Sequence, residues 1–329
     1  GPAAPGPPRS GPASSRVRPA GPAASRRRTV RTACYDPPMS DDDASPGPRA
    51  RIAALYVYPI KSCAGIALDT MRFDALGPLD DRRWMLVDDA GAFLTQRELP
   101  TLALVRPARV GDGLKVLAPG MPALQVSGRG GERRATEVWD DRCAGFDEGL
   151  EARAWFSEYL GRPVRLLRFD ATAPRAASRN WVGDAAGRPG ALTRFSDGYP
   201  LLVVSRASVA ALNARLAAHG IGEVPVRRFR PNVVLDDLDA FEEDTLETLA
   251  AGGPEAPVLR IVKPCTRCAI TEVDPATGRH AVGVLQVLAT FRADPKLGGA
   301  PTFGQNAIVT AGLDGRLRVG EVLEGGYRW

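Results

Sequence analysis

The chain has 329 residues, 44% of them hydrophobic and 25% charged, near the globular averages of roughly 45–50% and about 25%, which excludes wholesale disorder. No run approaches the roughly 20 apolar residues of a membrane-spanning helix, and five cysteines are too few for a small disulfide scaffold. The net charge of +5 is uneven: residues 1–50 hold eight Arg against four Asp, a net +4, which leaves +1 for residues 51–329. A nucleic-acid-binding domain carries its basic face on the folded part, so that class is set aside while a local anion site stays open.

Residues 1–50 also contain eleven Pro and five Gly. Such a composition cannot bury enough apolar surface to offset the entropy of ordering, and the segment reads as a disordered Pro/Arg-rich tail. Arg26-Arg27-Arg28 lies among Ser and Ala before the first acidic residue, Asp36, as in a transit peptide, but the prolines oppose the amphipathic helix such peptides form. A twin-arginine export signal needs an apolar run, which Thr29 to Asp43 lacks. Translation from Met39, with the upstream residues outside the native protein, is the preferred reading. Arginine outnumbers lysine 39 to 4, which points to a GC-rich genome, and a bacterial cytoplasm is the expected location.

From Arg51 the pattern changes. Ile52–Tyr58 reads as a strand from its β-branched and aromatic content, ended by Pro59. Further short strands are expected at Trp84–Val87, Phe93–Thr95, Leu102–Val105, Leu114–Leu117, Leu124–Val126 and Thr136–Trp139, separated by Asp-Gly, Ala-Gly and Pro-Gly pairs. A helix is predicted from Glu148 to Leu160, with Asp147 as N-cap and Gly161 as its stop. Val164–Phe169 is the next strand. Residues 171–194 show no clear periodicity, and the boundary between a domain of 51–175 and one of 176–329 is placed there.

The second half opens on the turn Ser196-Asp197-Gly198-Tyr199-Pro200, followed by a buried strand, Leu201–Val204. Ser205 is a helix cap, with Val209, Leu212 and Leu216 on one face and Gly220 at the end. Asn232–Leu235 and Leu259–Val262 read as strands, Gly283–Phe291 is ambiguous between helix and strand, and Gln305–Val309 and Leu317–Leu323 are expected to form a hairpin turned at Asp314-Gly315. The expected fold is mainly β with peripheral helices (α+β), in two packed domains, the first β-barrel-like and the second a β-barrel.

The sharpest local feature is Lys263-Pro264-Cys265-Thr266-Arg267-Cys268. The two cysteines admit a half zinc site, a redox dithiol, a metal ligand beside a structural neighbour, or chance. A structural zinc site needs four N or S ligands; only three other cysteines and two histidines, His219 and His280, are available, and no second pair has ligand spacing. A thioredoxin-like dithiol lies where a strand opens into a helix, whereas Ala269–Val273 is β-type in composition. A thiolate favours sulfur-preferring metals, and Arg267 beside Cys268 is placed to help ionise it. Four more segments are candidates for an anion or heterocycle site: Lys61-Ser62 after a strand, Asp81-Arg82-Arg83-Trp84, Phe229-Arg230-Pro231-Asn232, and Phe303-Gly304-Gln305-Asn306 with its amides.

In this order the segments resemble the MOSC-domain family with its N-terminal MOSC β-barrel partner, and within it the mitochondrial amidoxime-reducing component and its bacterial homologues. The likeness rests on Tyr58-Pro59-x-Lys61-Ser62, Asp81-Arg82-x-Trp84, Ser196-Asp197, Phe229-Arg230-Pro231-Asn232, Cys265-Thr266-Arg267-Cys268 with Asp274-Pro275-x-Thr277-Gly278, and Phe303-Gly304-Gln305-Asn306. It spans about residues 51–329. The resemblance implies a molybdenum cofactor (Mo-molybdopterin), a pterin with a dithiolene and a phosphate tail. Cys268 would be its metal ligand and catalytic thiolate. Lys61, Ser62, Arg82 and Arg230 would surround the phosphate and pterin, with Asp197, Gly198, Tyr199, Asn232, Thr266, Arg267 and Asn306 completing the pocket. The implied reaction is reduction of N-hydroxylated or N-oxygenated compounds (amidoximes, N-hydroxylated bases, hydroxylamines). With no cysteine after Cys268, electrons are expected from a separate ferredoxin- or flavoprotein-type donor; neither nucleic acid nor membrane is an expected partner. A second reading keeps Cys268 but makes the protein a cofactor carrier or sulfur-transfer protein. Asp274 offers a proton donor, though its Asp-Pro-x-Thr-Gly setting also makes an ordinary turn.

Overall fold

The structure is a computed structural model, and it describes residues 47–328. Seven strands close a barrel in the order Leu201–Ser205, Val233–Asp236, Arg49–Val57, Val322–Tyr327, Leu246–Ala250, Val258–Thr266 and Ala300–Ala311, the last pairing back onto the first. Strand directions around a closed ring are consistent only if the antiparallel pairings are even in number. Here one of the seven pairings, Leu201–Ser205 with Val233–Asp236, is parallel and the rest are antiparallel.

The barrel is filled by one side of each strand, including Ile52, Leu55, Leu201, Val203, Leu249, Leu259 and Val309. Every residue of Leu201–Ser205 is buried because its other face is also covered: Leu202 and Val204 pack beneath the helices with Val209, Leu212 and Leu288. The sequence shows this as an unbroken apolar run, as expected of a strand buried on both faces. Four helices are present among the described residues: α1 (Leu150–Leu160), α2 (Arg179–Val182), α3 (Arg206–Ala218) and α4 (Val284–Arg292). Ser205 caps α3 by accepting the Ala207 N–H at 3.1 Å. Gly161 ends α1 in the left-handed conformation.

The N-terminal half holds a four-stranded antiparallel sheet of Trp84–Val87, Arg165–Phe169, Asp141–Asp147 and Arg133–Val138, and a three-stranded meander from Arg106 to Val126. Alternation in Trp84–Val87 links two cores. Trp84 and Leu86 pack with the meander and with Trp155 and Phe156 of α1, while Met85 and Val87 face Leu167, Phe169 and Phe195. The described residues are thus mainly β with peripheral helices, as expected. Its barrel also takes in Arg49–Val57 from the start of the described chain, because a strand's own residues specify which face is buried and not which strand it pairs with.

Several local expectations are corrected. Leu102–Val105 is not a strand: Pro100 opens a 3₁₀ turn over Pro100–Leu104, its fixed φ suiting a first helical position. Phe93–Thr95 contributes only one bridge, Val87 to Phe93. Asp147 ends a strand, and Gly149 is the N-cap of α1, although the Asp147 side chain does accept the Gly149 N–H at 3.0 Å. Asp314-Gly315 turns no hairpin: Arg316–Arg318 pairs with Thr70–Asp74, and Val322–Tyr327 is a separate strand in the barrel. Gly283–Phe291 resolves as helix α4. Ala269–Glu272 is a 3₁₀ turn despite its β-type composition. Leu246–Ala250, hidden among acidic residues, is a barrel strand the sequence reading missed.

Gly304 lies at φ 73°, and a Cβ there would stand 2.6 Å from Val204 Cγ2 and 2.8 Å from the Val203 carbonyl oxygen. Gly304→Ala therefore combines backbone strain with a clash. It should destabilise the fold by about 2 kcal/mol or more, seen as a lower midpoint of chemical denaturation with an unchanged slope.

Candidate active site

The strand Arg49–Val57 ends in the turn Tyr58–Cys63, where the Asp81 carboxylate gathers the local backbone. Its Oδ1 accepts the Tyr58 N–H at 2.8 Å and an Asn232 Nδ2 hydrogen at 3.1 Å, and its Oδ2 accepts from Arg82 Nη1. Asn232 donates its other amide hydrogen to the Tyr56 carbonyl at 3.1 Å; its Oδ1 accepts from the Leu202 N–H at 3.1 Å and Arg82 Nη1 at 3.2 Å. All four hydrogen-bonding positions of that amide are thereby taken by protein. Asn232 is 1% exposed and acts on the site through Arg82.

Arg82 and Arg230 both lie against the Tyr58 ring, their guanidinium carbons 4.6 and 4.2 Å from its centroid, which offsets part of their mutual repulsion. Arg230 Nη1 donates to the Cys63 carbonyl at 2.7 Å, while its buried Nη2 has no partner among the described residues. Burial, with the Arg82 charge adding to it, pushes the Arg230 guanidinium down to about 10. Ser62, Arg82 and Arg230 all have φ between 46° and 66°. Such left-handed conformations cost about 1–3 kcal/mol each in non-glycine residues and cluster at ligand sites.

Lys61 is 5% exposed. Its Nζ donates to the Phe195 carbonyl at 2.9 Å and to Asp197 Oδ1 at 2.5 Å. Burial pushes the Lys61 ammonium down from its ordinary value, and Asp197 opposes that shift. Asp197 lines the cleft and keeps 63% of its side-chain surface open. Its surroundings tend to raise its pKa through desolvation, but the Lys61 charge and hydrogen bonds from Lys61 and Trp139 outweigh this and hold the carboxyl well below the usual range. The backbone of this loop is anchored from behind by Arg175, which donates to the carbonyls of Arg194 at 2.9 Å and Ser196 at 2.6 Å.

The strand Val258–Thr266 delivers the cysteines. Cys268 follows it at the cap of the 3₁₀ turn, half-buried. Arg267 is aimed elsewhere than expected: its Nη1 lies 3.0 Å from Cys265 Sγ and its Nη2 donates to the Phe229 carbonyl at 2.9 Å. It is thus the neighbour of Cys265. Among the described residues no three His, Cys, Asp or Glu side chains converge as metal ligands, so nothing there completes a zinc site around the pair. Asp274 caps its own turn by accepting the Ala276 N–H at 2.7 Å. Asn306 and Gln305 face opposite ways, as neighbours on a strand must. Gln305 is fully buried and donates to Asp244 Oδ1 at 2.6 Å, away from the cleft.

All twelve residues read from the sequence line one cleft of about 830 Å³, part of it open to solvent: Lys61, Ser62, Arg82, Asp197, Gly198, Tyr199, Arg230, Asn232, Thr266, Arg267, Cys268 and Asn306. Sequence reasoning missed Thr95, Arg97 and Trp139 on the same wall and Tyr58, Asp81 and Arg175 behind it. Of these, Tyr58 and Asp81 stood inside quoted motifs and could have been named; the others sit in segments with no signal.

A family model for the MOSC N-terminal beta barrel domain matches residues 49–163, and one for the MOSC domain matches residues 192–324. The chain belongs to the MOSC family. It is 33% identical over 249 residues to mitochondrial amidoxime reducing component 2 of Bos taurus, covering 71% of each chain. It is 31% identical over 285 residues to mitochondrial amidoxime-reducing component 1 of Homo sapiens, covering 82% of this chain and 81% of that one. The solved YuaD protein of Bacillus subtilis aligns with 97% of its length and 85% of this chain, at 13% identity and a TM-score of 0.36. The two MOSC matches contribute unequal parts of the cleft: Lys61, Ser62 and Arg82 come from the first, and the other nine residues from the second.

Two predictions follow from this geometry. Asn232→Ala removes partners from Asp81 and Arg82 at once, and should cost about 3 kcal/mol in denaturant unfolding. Cys63 is fully buried, and burial pushes its thiol up to about 12. At pH 8 only about one part in 10⁴ is thiolate, so mass spectrometry after brief alkylation of the folded protein should find Cys63 unmodified and Cys268 labelled.

Proposed function

We propose that this MOSC protein is a molybdenum-cofactor-dependent oxidoreductase that reduces N-oxygenated compounds with electrons from a separate redox protein. The observation that supports it is the meeting, in one cleft, of the half-buried Cys268 thiol with Lys61, Arg82 and Arg230, the last with a buried Nη2 that has no partner among the described residues. A buried donor without an acceptor costs about 1–3 kcal/mol, and an anionic ligand would relieve it. The donor set fits a phosphate-tailed, sulfur-bound group: guanidiniums suit phosphate and a thiolate suits a soft or high-valent metal.

In this reading Cys268 is the protein's ligand to molybdenum. Lys61, Ser62, Arg82 and Arg230 hold the anionic tail and pterin, and Asp197, Gly198, Tyr199, Thr266, Arg267 and Asn306 complete the pocket. Asn232 and Tyr58 keep the arginines in place. The cofactor, when bound, supplies the two-electron chemistry that removes oxygen from nitrogen. The protein binds and orients the substrate within the cleft. Amidoximes, N-hydroxylated bases and hydroxylamines are the proposed substrate class. The relatives' names, amidoxime reducing components, support the same class.

A second reading, a cofactor carrier or sulfur-transfer protein using Cys268, is favoured by one observation: Cys265 lines the same cleft with a guanidinium on its sulfur. Turnover separates the two. Protein made in a host that builds the cofactor should contain molybdenum and reduce benzamidoxime with a chemical reductant. Cys268→Ser should lose more than about 100-fold in rate with an unchanged melting temperature, and full activity would remove Cys268 from its role. Arg230→Ala should lower molybdenum content, measured by elemental analysis.

A further inference from the structure

One part of the cleft lining lies outside the residues proposed to hold the cofactor. Thr95, Arg97 and Trp139, from the N-terminal half, line it. Trp139 follows the strand Arg133–Val138 in the turn that leads to Asp141. Trp84 and Trp155 are buried at 1% and 6% exposure, whereas Trp139 leaves 46% of its surface open. An indole is a large apolar group whose burial is strongly favourable, so an open one at the rim of a cleft offers a binding surface.

Trp139 is the first residue of the two-residue turn between the paired Val138 and Asp141, and its φ of 55° is the left-handed value such a hairpin calls for. Three contacts fix the indole on that turn. The indole Nε1–H donates to Asp197 Oδ1 at 3.2 Å. The Phe93 ring meets the indole at 5.3 Å and 72°. The Arg97 guanidinium carbon lies 4.5 Å from its centroid, with Arg97 Nε donating to Thr95 Oγ1 at 3.1 Å. The ring is therefore oriented before any ligand arrives, which reduces the entropy cost of binding. Through Asp197 it is tied to Lys61, and so to the anion end of the site.

Building on the reductase reading, we infer that Trp139 is the specificity residue of this site, its indole stacking on planar, conjugated N-hydroxylated substrates such as aryl amidoximes. An aryl amidoxime is flat across ring and functional group and matches a flat indole. A small aliphatic hydroxylamine has no π-face to stack and gains little from it.

The test compares wild type, Trp139→Phe and Trp139→Ala with two substrates, benzamidoxime and N-methylhydroxylamine. Relative to Trp139→Phe, which also lacks the Nε1–H donated to Asp197, Trp139→Ala should lose about tenfold in benzamidoxime kcat/KM, through KM, and less than about twofold with N-methylhydroxylamine. Calorimetric titration of benzamidoxime without reductant gives a readout independent of turnover: binding should weaken about tenfold in Trp139→Ala and recover in Trp139→Phe. Equal losses for both substrates, or unchanged benzamidoxime values in Trp139→Ala, would overturn the assignment. If molybdenum-loaded wild type reduces neither substrate, the reductase reading fails and calorimetry alone decides. Trp139-dependent binding of benzamidoxime then sustains the aromatic platform, and absent or Trp139-independent binding removes it.

Discussion

The site depends on a buried polar junction between Asp81 and Asn232. Asp81 is 3% exposed and Asn232 1%. Unpaired, such groups would be costly to bury; here each satisfies the other while holding Arg82 and backbone groups of Tyr56, Tyr58 and Leu202. The barrel strand Arg49–Val57, the loop carrying Asp81 and Arg82, and the strand that begins at Leu201 are fastened at one point. Change that point and the arginine, the turn before Lys61 and the barrel rim all move together, because a buried network is satisfied as a whole.

Around this junction the protein accumulates positive charge that is poorly solvated. Lys61 is paired with Asp197, Arg82 with Asp81, and Arg230 with a carbonyl, its buried Nη2 having no hydrogen-bond partner among the described residues. Of the seven described non-glycine residues at positive φ, four, Ser62, Arg82, Trp139 and Arg230, line the cleft. Positive-φ backbone and desolvated charge thus meet on one surface, apart from the apolar cores of the barrel and of the N-terminal half. Stability is supplied by those cores, which leaves the cleft free to be unfavourable until a ligand fills it.

Legibility followed the range of each interaction. Strands and helices with strong local periodicity, such as Trp84–Val87 and α3, stood in the sequence because one buried face imposes a repeat. Leu246–Ala250 did not, since Glu247 and its acidic neighbours mask its two buried positions, Leu246 and Leu249. The reversal of Ala269–Glu272 from β-type composition to a 3₁₀ turn shows tertiary context overriding propensity. Motif residues were legible in type, whereas orientation was not: Arg267 turns to Cys265 in place of Cys268, Gln305 faces away from the cleft, and Asn232 spends its whole amide on protein groups.

By itself the sequence determined the composition of the site, a thiol and four cations in a fixed order along a β-rich chain, because those chemical types and the local turns around them are written residue by residue. Only the tertiary structure decided that they meet. Lys61 and Asp197 are 136 positions apart, Arg82 and Asn232 150, and the strand Arg49–Val57 closes a barrel whose other members lie beyond residue 200. Pairing across such distances is set by which apolar faces can be buried together, and that is a property of the whole chain.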